Sequence, residues 1–424
     1  MNNSNYTFTS KTKNITIGLM AIGLVSIVAG FMNDKAPEAA AHAVEGATAA
    51  HGEYHAGTRM WANLLVNGWF FMGIGLLATF FMALQYVTET AWSVAVKRVF
   101  EAVSAYLPVG AVIMFLVLLA GQFQMHHLYH WMNPNVIDST SPEYDEIIVN
   151  KGAYFGIGAG NWFFWLRTIL YLVVWNMFQR GFLKRSLEQD LKGGTEIHYK
   201  QMGKSAVFLV FFAVTSSTAA WDWLMSIDVH WFSTMYGWYA FSGMFISALI
   251  TIMLFVLFLK RKGYLPEVND SHIHDLGKWV FAVSFLWSYL WFCQFMLIWY
   301  TDIPEEIIYF QDRLHNYGYM GLMWTVFFMN FLFPMILLMS RDAKRNYFLL
   351  TLVASIIFVG HWLDVFMMVM PGTVQGNWHL GLVDIGTALG FLGLLLFVIN
   401  KALTKAPLMI QQHPYLDESI HHNV

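Results

Sequence analysis

The stretch YGWYAFSGMFISALITIMLFVLFL, residues 236–259, is followed directly by Lys260, Arg261 and Lys262. It contains no charged side chain and is longer than the ~20 residues that a helix needs to cross a bilayer. In hydrocarbon the backbone must satisfy its own hydrogen bonds, which a helix does within the segment. The stretch therefore predicts a membrane-spanning helix that ends at a basic loop.

Similar apolar stretches recur along the whole chain. Of the 424 residues, 57% are hydrophobic and only 12% are charged, far fewer than the roughly 25% charged residues of soluble domains. The mean hydropathy is +0.49. We predict an all-α integral membrane protein with ten transmembrane helices, at residues 15–32, 61–87, 99–122, 153–179, 205–225, 236–259, 278–300, 317–340, 347–370 and 380–400.

Lys and Arg alternate sharply between the two sides of the predicted spans. One side holds Lys11, Lys13, Lys97, Arg98, Arg180, Lys184, Arg185, Lys192, Lys200, Lys204, Lys260, Arg261, Lys262, Arg341, Lys344, Arg345, Lys401 and Lys405. The other side holds only Lys35, Arg59, Lys151 and Arg313, while Arg167 and Lys278 fall within spans. Because cytoplasmic loops are enriched in Lys and Arg, we predict a multi-pass membrane protein with both termini in the cytoplasm.

Four short markers occur twice in the same order along the chain. They are Gln122-Phe123 with Gln294-Phe295, PEYDEII (142–148) with PEEII (304–308), Tyr154-Phe155-Gly156 with Tyr319-Met320-Gly321, and Trp221-Asp222 with Trp362-Leu363-Asp364. Such repeats indicate duplication, although chance similarity among apolar segments is the alternative. We predict two repeated four-helix bundles, spans 2–5 (61–235) and 6–9 (236–375), with peripheral helices 1 and 10 in 1–60 and 376–424.

Polar side chains within the predicted spans are concentrated towards the outer surface. A charge at the bilayer centre costs ~2.5–3.5 kcal/mol on insertion scales, so each needs a partner or a water-filled cavity. We expect these groups to gather in one outer pocket. The set comprises Gln122, Gln124, His126, His127, His130, Asn67, Asn161, Asp222, Gln294, His361, Asp364 and Asp384.

His361 and Asp364 are three residues apart and therefore share one face of a helix. A carboxylate beside an imidazole orients the ring and suits a group that accepts and releases protons. A structural hydrogen bond between helices explains the pair equally well. Asp222 is either a proton-handling group or a local capping partner, and interfacial solvation is the favoured interpretation of His126.

A second set of polar residues lies nearer the predicted cytoplasmic side. Glu101 is near the inner end of the third span, Arg167 near the middle of the fourth, and Ser216 and Ser217 within the fifth. We predict that they line a proton path from the cytoplasm, although Ser and Thr in spans often bond their own helix carbonyls. Arg167 must face the protein interior, where it could bind either a carboxylate or a quinone oxygen.

The chain lacks the ligands for redox centres of its own. A single cysteine, Cys293, excludes an intrachain disulfide and an iron–sulfur cluster, and there is no CxxCH sequence for haem attachment. A b-type haem between His361 and a third-span histidine is disfavoured because their predicted depths differ. The irregular spacing of His42, His51 and His55 favours a solvated loop over a metal site.

Two segments carry a family resemblance. WDWLMSIDVHWFSTMYG (221–237), followed by Tyr239, Phe241 and Gly243, resembles the junction of helices 5 and 6 in NrfD-type (polysulfide-reductase-type) membrane subunits of bacterial alternative complex III, a quinol:cytochrome c oxidoreductase. GHWLD (360–364) with MPG (370–372) resembles the ninth-helix motif of that family. The resemblance covers nearly the whole chain and is greatest to the F subunit, the second of two paralogous quinone-binding-type subunits.

The resemblance implies a location in the bacterial inner membrane, together with the cofactors and partners of such a complex. It implies menaquinol or ubiquinol oxidation coupled to proton movement, by a chain that is not catalytic alone. The implied partners are a paralogous ten-span NrfD-type subunit, an Fe–S subunit, c-type cytochrome subunits, other membrane subunits and lipid, with no nucleic acid. Many members carry an acidic residue followed by Arg in helix 9, where this chain has Asp364 and Val365, so quinone binding by this copy stays open.

Two other functions remain as alternatives. One is a secondary transporter, in which repeats and mid-membrane polar groups are also expected, but the predicted spans show no obvious unwound centres. The other is a structural scaffold subunit of the same complex, whose polar residues only specify helix packing.

Overall fold

The computed structural model of the chain describes residues 5–34 and 55–423. Within these ranges every regular element is helical and no β-strand occurs. The long helices are α1 (Ser10–Asn33), α2 (Thr58–Val87), α3 (Trp92–Gln122), α4 (Trp162–Lys192), α5 (Glu196–Trp223), α6 (Met235–Arg261), α7 (Asp270–Thr301), α8 (Met320–Leu337), α9 (Tyr347–Thr373) and α10 (Leu382–Leu403).

Nine of the long helices in the described ranges, all except α4, are long and apolar enough to cross a membrane. α4 has 31 residues and is also long enough, since a helix rises about 1.5 Å per residue across a ~30 Å core. Arg167, Asn176 and Gln179 make α4 less apolar than the others. The prediction of an all-helical protein with several helices that can cross a membrane is therefore confirmed.

One end of the molecule, which we call the tail end, is covered by residues 404–423 after α10. Gln189 Nε2 near the end of α4 donates to the Gln412 carbonyl at 2.9 Å. Asn269, whose Oδ1 caps α7, donates from its Nδ2 to the His422 carbonyl at 2.6 Å. The tail therefore joins the ends of helices that are distant in sequence.

The opposite end, which we call the loop end, holds the longer connections 123–161, 224–234 and 302–319. Two of these connections are joined by Arg313 Nη2, which donates to Asp228 Oδ2 at 2.9 Å. The loop end contains several short helices and many aromatic contacts, so its chain path is fixed by side-chain packing.

α2 and α6 form the centre of the molecule. They pack against each other, and 89% of the most apolar window of each is buried. α1 packs mainly along α10, where a Cβ on Gly23 would lie only 2.3 Å from the Gly390 Cα. Only 17% of the α1 window is buried, so α1 lies at the periphery.

α4 begins nine residues later than the predicted span, at Trp162 instead of residue 153. Gly156, Gly158, Gly160 and Asn161 all have positive φ angles, between 58° and 85°, a region that glycine adopts readily and other residues rarely. This turn ends the short helix 152–155. Arg167 therefore lies near the start of α4, and its predicted position at mid-depth is wrong.

Two long helices are interrupted, contrary to the expectation of unbroken spans. α3 consists of a 3-10 turn, a helix at Lys97–Ser104 and a helix at Leu107–Gln122, and Pro108 lacks the N–H that a continuous helix would use. α8 contains a π-helical segment at Phe328–Leu332, just before Pro334.

Candidate functional site

Arg167, near the start of α4, forms a two-point contact with Asp222, near the end of α5. Its Nε donates to Asp222 Oδ2 at 2.8 Å and its Nη2 to Oδ1 at 2.7 Å. Tyr171 OH donates to the same carboxylate at 3.3 Å, and Arg167 Nη1 donates to the Tyr154 carbonyl at 2.8 Å. Asp222 is fully buried, so the arginine compensates its charge where water cannot. We call this group the Arg167 site.

An aromatic cavity of ≈ 310 Å³ lies beside the Arg167 site at the loop end. Tyr154 lines it and holds its ring 4.2 Å from the Arg167 guanidinium. Ser226 also lines it and donates to the Asp222 carbonyl at 2.6 Å. A flat apolar ring bound here would lie close to the buried ion pair. Most of the other lining is apolar: Phe155, Trp221, Met225, Val229, Trp231 and Phe232.

A stripe of buried side chains, largely polar, continues from Arg167 along one face of α4. Trp175 Nε1 donates to Thr215 Oγ1 of α5 at 3.0 Å, and Gln179 Nε2 donates to Ser104 Oγ of α3 at 3.3 Å. Residues four apart share a helix face, so these contacts follow the same side of α4 towards the tail end. The stripe comprises Arg167, Tyr171, Trp175, Gln179 and Ser186.

Glu101 lies at the tail end in a buried cluster of charged groups. Arg98 donates to both Glu101 and Asp190, and Ser186 donates to Glu101 Oε1. Lys97 Nζ is 3.8 Å from Glu101 Oε1. Arg167 is therefore at one end of the α4 stripe and Ser186 at the other, and Ser186 connects the stripe to Glu101 of α3.

The hydroxyl run on α5 does not present all its members to α4. Ser216 is buried, and Thr215 is the member that accepts the hydrogen bond from Trp175. Ser217 donates to the Ala213 carbonyl of its own helix at 3.4 Å. The sequence pattern could not separate these orientations, because successive residues on a helix point in different directions.

Asp364, within α9, has neutral hydrogen-bond donors in place of an arginine. Tyr239 OH of α6 donates to its Oδ1, and Trp287 Nε1 of α7 donates to its Oδ2 at 2.9 Å. His361 Nδ1 lies 3.6 Å from Asp364 Oδ2, beyond hydrogen-bond distance. All four side chains are buried. We call this group the Asp364 site.

Two side chains at or beside the Asp364 site have unmet hydrogen-bonding capacity. His361 is 1% exposed, and neither ring nitrogen has a partner among the described residues. Asn330 of α8 is 0% exposed, and its amide nitrogen and oxygen also have none. An unpaired buried polar group costs ~1–3 kcal/mol, so these atoms mark a place that favours a small polar ligand.

Asp384, in the first turn of α10, ends a third polar network. Arg59 donates to its Oδ2 and Asn63 Nδ2 donates to its Oδ1 at 2.6 Å. Asn67 Nδ2 donates to Asn63 Oδ1 at 2.6 Å, and Trp362 Nε1 donates to Asn67 Oδ1 at 3.0 Å. These directed bonds tie α2, α9 and α10 together next to the Asp364 site.

The three carboxylates of the predicted outer polar set lie in three separate hydrogen-bond networks, so the expectation of one shared pocket is wrong. Asp222, Asp364 and Asp384 have no side-chain hydrogen-bond partner in common among the described residues. Each carboxylate is satisfied locally by donors from neighbouring helices, which removes the need for a common cavity.

The two predicted glutamines, Gln122 and Gln294, do not belong to the hydrogen-bond networks of these three carboxylates. Gln122 accepts from Asn161 Nδ2 at 3.0 Å and from Trp165 Nε1 at 2.9 Å, which fixes the start of α4 to the end of α3. Gln294 is buried on α7, two turns beyond Trp287. Within the described ranges, no hydrogen bond joins either glutamine to a site carboxylate.

His126 is buried just after α3, whereas the sequence favoured solvation at an interface. Its Nε2 lies 2.9 Å from the Val117 carbonyl, and Leu128 N donates to its Nδ1 at 3.3 Å. Burial lowers the pKa of His126 to about 4, with the Val117 carbonyl opposing this change and His127 adding to it. The neutral ring therefore acts as a structural cap of α3.

Arg313 is a buried residue that the sequence placed in a water-facing loop. Its Nη2 donates to Asp228 Oδ2 at 2.9 Å, its Nη1 to the Tyr309 carbonyl at 3.1 Å, and its guanidinium lies 3.4 Å from the Tyr309 ring centroid. Burial lowers the pKa of Arg313, but Tyr309 and Asp228 outweigh burial and raise the pKa above its ordinary value. The only feature of the sequence that set Arg313 apart was that few Lys and Arg residues lie on the predicted outer side.

Metal-ligand geometry does not occur in the part of the chain that the structure describes, where no group of three or more His, Cys, Asp or Glu side chains could hold an ion. His55 has its ring 4.4 Å from that of His127. His42 and His51 lie outside the described residues.

Comparisons with known proteins do not assign a family to the chain. The sequence matches no protein-family model, and no curated protein matches it. The resemblance carried by residues 221–237 and 360–372 therefore stays a prediction.

Proposed function

We propose that the chain is an NrfD-type membrane subunit of a bacterial quinol:cytochrome c oxidoreductase of the alternative complex III type. In this proposal α4 also crosses the membrane, which brings the number of spans to ten. α2–α5 and α6–α9 are the two bundles. The complex lies in the bacterial inner membrane, and the tail end of this chain faces the cytoplasm. The chain works beside an Fe–S subunit, c-type cytochromes and a paralogous ten-span subunit. It supports quinol oxidation and moves protons without a redox centre of its own.

The observation that carries this proposal is the buried polar stripe of α4 between the Arg167 site and Glu101. Ionisable groups inside a membrane protein are costly, and they commonly mark proton or substrate routes. The stripe reaches from an ion pair at the loop end to a charged cluster at the tail end. A proton path needs such fixed polar groups, because hydrocarbon offers a proton no other stabilisation.

The aromatic cavity beside Tyr154 is where a quinol ring would bind in this chain. Ligand pockets are typically apolar with a few polar groups that fix orientation. The walls here are almost entirely apolar, because Lys151 and Ser226 bond the backbone carbonyls of Val229 and Asp222. The Arg167–Asp222 pair lies behind the Tyr154 ring. This arrangement suits a flat ring that releases protons on oxidation.

The Asp364 site has a different part in the proposal. Its carboxylate is bonded by Tyr239 and Trp287, both neutral, and His361 lies beside it. A carboxylate without a fixed cation can take up and release a proton at a lower electrostatic cost than one held by arginine. We assign proton exchange to this site.

Purification of the native complex through a tag on this chain tests the proposal. We expect c-type cytochromes and an Fe–S protein to co-purify, and the preparation to oxidise quinol and release protons. A chain that purifies alone in an active state, with saturable solute uptake in vesicles, contradicts the proposal.

Substitutions in that complex test the assigned residues. We expect Asp364→Asn and His361→Ala to lower proton release, because both remove a proton-exchanging group. Thr325→Val is the control, since the exposed Thr325 hydroxyl donates to the Gly321 carbonyl of its own helix at 2.9 Å and lies outside the three sites. Unchanged quinol oxidation and proton release in both site variants would show that the residues are assigned wrongly.

A secondary transporter is the second candidate, and the interrupted helices α3 and α8 favour it. Transporters commonly bind substrate where helices are broken near the membrane centre. The uptake assay described above distinguishes this function from the first. A scaffold subunit would co-purify with the complex but tolerate the substitutions.

A further inference from the structure

Three helices around the Asp364 site carry buried polar atoms that have no hydrogen-bond partner in the described ranges. His361 of α9 contributes both ring nitrogens, Asn330 of α8 both amide atoms, and Ser284 of α7 its hydroxyl. Each of these side chains is at most 1% exposed. Buried polar groups are nearly always bonded to protein or ordered water. These atoms therefore point to a ligand.

Asn330 lies between the other two helices. It belongs to the π-helical segment Phe328–Leu332, which packs against both α7 and α9. A Cβ on Gly360 would lie 2.1 Å from Asn330 Oδ1, so Asn330 contacts the residue that precedes His361. π-Helical turns are rare and occur frequently at functional sites.

Ser284 and the Asp364 site lie on the same side of α7. Trp287, one turn from Ser284, donates to Asp364 and has its ring 5.2 Å from the His361 ring. Across from them, Gly243 of α6 leaves room: a Cβ there would lie 3.4 Å from Asp364 Oδ2 and 3.5 Å from His361 Nδ1.

We propose that the region enclosed by α6, α7, α8 and α9 binds a small cluster of water molecules, which Asn330 and Ser284 hold and which connects His361 to Asp364 beside Gly243. The unpaired atoms include both donors and acceptors, as a water cluster requires. A buried water typically makes two to four hydrogen bonds with such groups. Asn330 and Ser284 supply no charge that would favour an ion.

The cluster gives the Asp364 site a route for proton exchange, a role that rests on the proposed function. His361 Nδ1 and Asp364 Oδ2 are 3.6 Å apart, too far for direct transfer. A water that bonds both groups makes the transfer path continuous. Asn330 is then a positioning residue, since it holds the water and does not itself exchange the proton.

A density map of the purified protein that resolves ordered waters tests the site independently of any activity. We expect water density within hydrogen-bond distance of the Asn330 amide and of a His361 nitrogen. The Asn330→Leu variant, which removes both polar atoms at similar volume, should lose that density. A map that shows waters at other buried polar groups but none here overturns the proposal.

Proton release in the intact complex tests the role of the cluster. Positioned proton transfer contributes ~10²–10⁴-fold to rates, so we expect Asn330→Leu to lower proton release by ~10-fold or more. The control is Asn400→Leu, because Asn400 is buried but already bonded to Tyr6 and to the Leu396 carbonyl at 2.6 Å. Equal proton release in both variants overturns the role.

A second substitution keeps the test decisive if Asn330→Leu does not fold. Gly243→Ala places a methyl group at ordinary contact distance from His361 and Asp364, where it displaces a bridging water. Gly68→Ala is its control, since the nearest atom there is Met114 Sδ at 3.7 Å. We expect loss of proton release only in Gly243→Ala, and unchanged release contradicts the proposal. Water density with no quinol oxidation by the wild-type complex would instead reject the proposed function alone.

Discussion

The Arg167 site and the Asp364 site present two ways to bury a carboxylate in one membrane protein. Asp222 receives two hydrogen bonds from an arginine, whereas Asp364 receives bonds from Tyr239 and Trp287 and lies near an unpaired histidine. The two aspartates occupy matching positions in the sequence repeat. In the proposed function, Arg167 holds Asp222 as a fixed negative charge, and Asp364, with donors that carry no charge, is the carboxylate that we propose exchanges a proton.

The largest expected difference between the two sites concerns stability. Asp222→Asn leaves Arg167 as a buried charge without its carboxylate, and breaking a buried ion pair in this way costs ~3–5 kcal/mol. We expect a large fall in thermal stability in detergent, and partial recovery in Arg167→Gln/Asp222→Asn. Glu188→Gln is the control, because the Glu188–Lys192 pair is exposed and should contribute nothing measurable. An Asp222→Asn protein as stable as that control would contradict the account.

Acid should destabilise the folded protein through His126, which is buried just after α3. Its pKa in the folded protein is about 4, against an ordinary value of 6.5, so folding opposes protonation of the ring. The resulting loss of stability begins as pH falls below 6.5 and is complete near pH 4, and it amounts to ~3 kcal/mol.

The measurement for His126 is thermal unfolding between pH 7 and pH 4 for the wild type and for His126→Gln. Because glutamine does not titrate, the variant should show a flatter pH dependence over this interval. Identical slopes in the two proteins would show that His126 is not the group that titrates.

Asp364→Asn should cost less stability than Asp222→Asn. The asparagine oxygen can still accept one of the bonds from Tyr239 and Trp287, and no buried cation is left behind. We expect a loss of ~1–2 kcal/mol by thermal unfolding, together with lower proton release by the complex. A destabilisation equal to that of Asp222→Asn would remove the distinction between the sites.

The smallest expected effect separates two hydroxyls of α5. Thr215→Val leaves the buried Trp175 N–H without its acceptor and should cost ~1 kcal/mol, whereas Ser217→Ala loses a bond to the Ala213 carbonyl of its own helix. Thermal unfolding of the two variants side by side measures the difference. Equal stability would show that the hydrogen bond from Trp175 to Thr215 does not contribute to the stability of the fold.

The sequence predicted the helical membrane fold well, because long uncharged stretches such as 236–259 have one stable backbone arrangement in hydrocarbon. It also predicted Asp222, His361 and Asp364 as buried polar residues. It did not predict their partners, because pairing depends on helix rotation, which apolar composition does not encode. The late start of α4 decided the pairing of Arg167.

Other features left weaker signals in the sequence. Arg313 was recognisable only as a cation on a side that has few, and its burial depends on the packing of Tyr309. Asn330 could not be distinguished from an ordinary polar residue in a span, since a π-helical turn has no clear sequence pattern. The burial of Arg313 and of Asn330 depends on local backbone conformation and helix packing, which the three-dimensional structure shows and the sequence does not.

Infrared difference spectroscopy of the purified complex tests the central claim most directly, by following the carboxylic acid band as pH is changed. We predict a band from a reversibly protonated buried carboxyl group that disappears in Asp364→Asn and persists in Arg167→Gln/Asp222→Asn. A band that persists in Asp364→Asn and disappears in the double variant would contradict the account, because the arginine-bound carboxylate would then be the one that exchanges its proton.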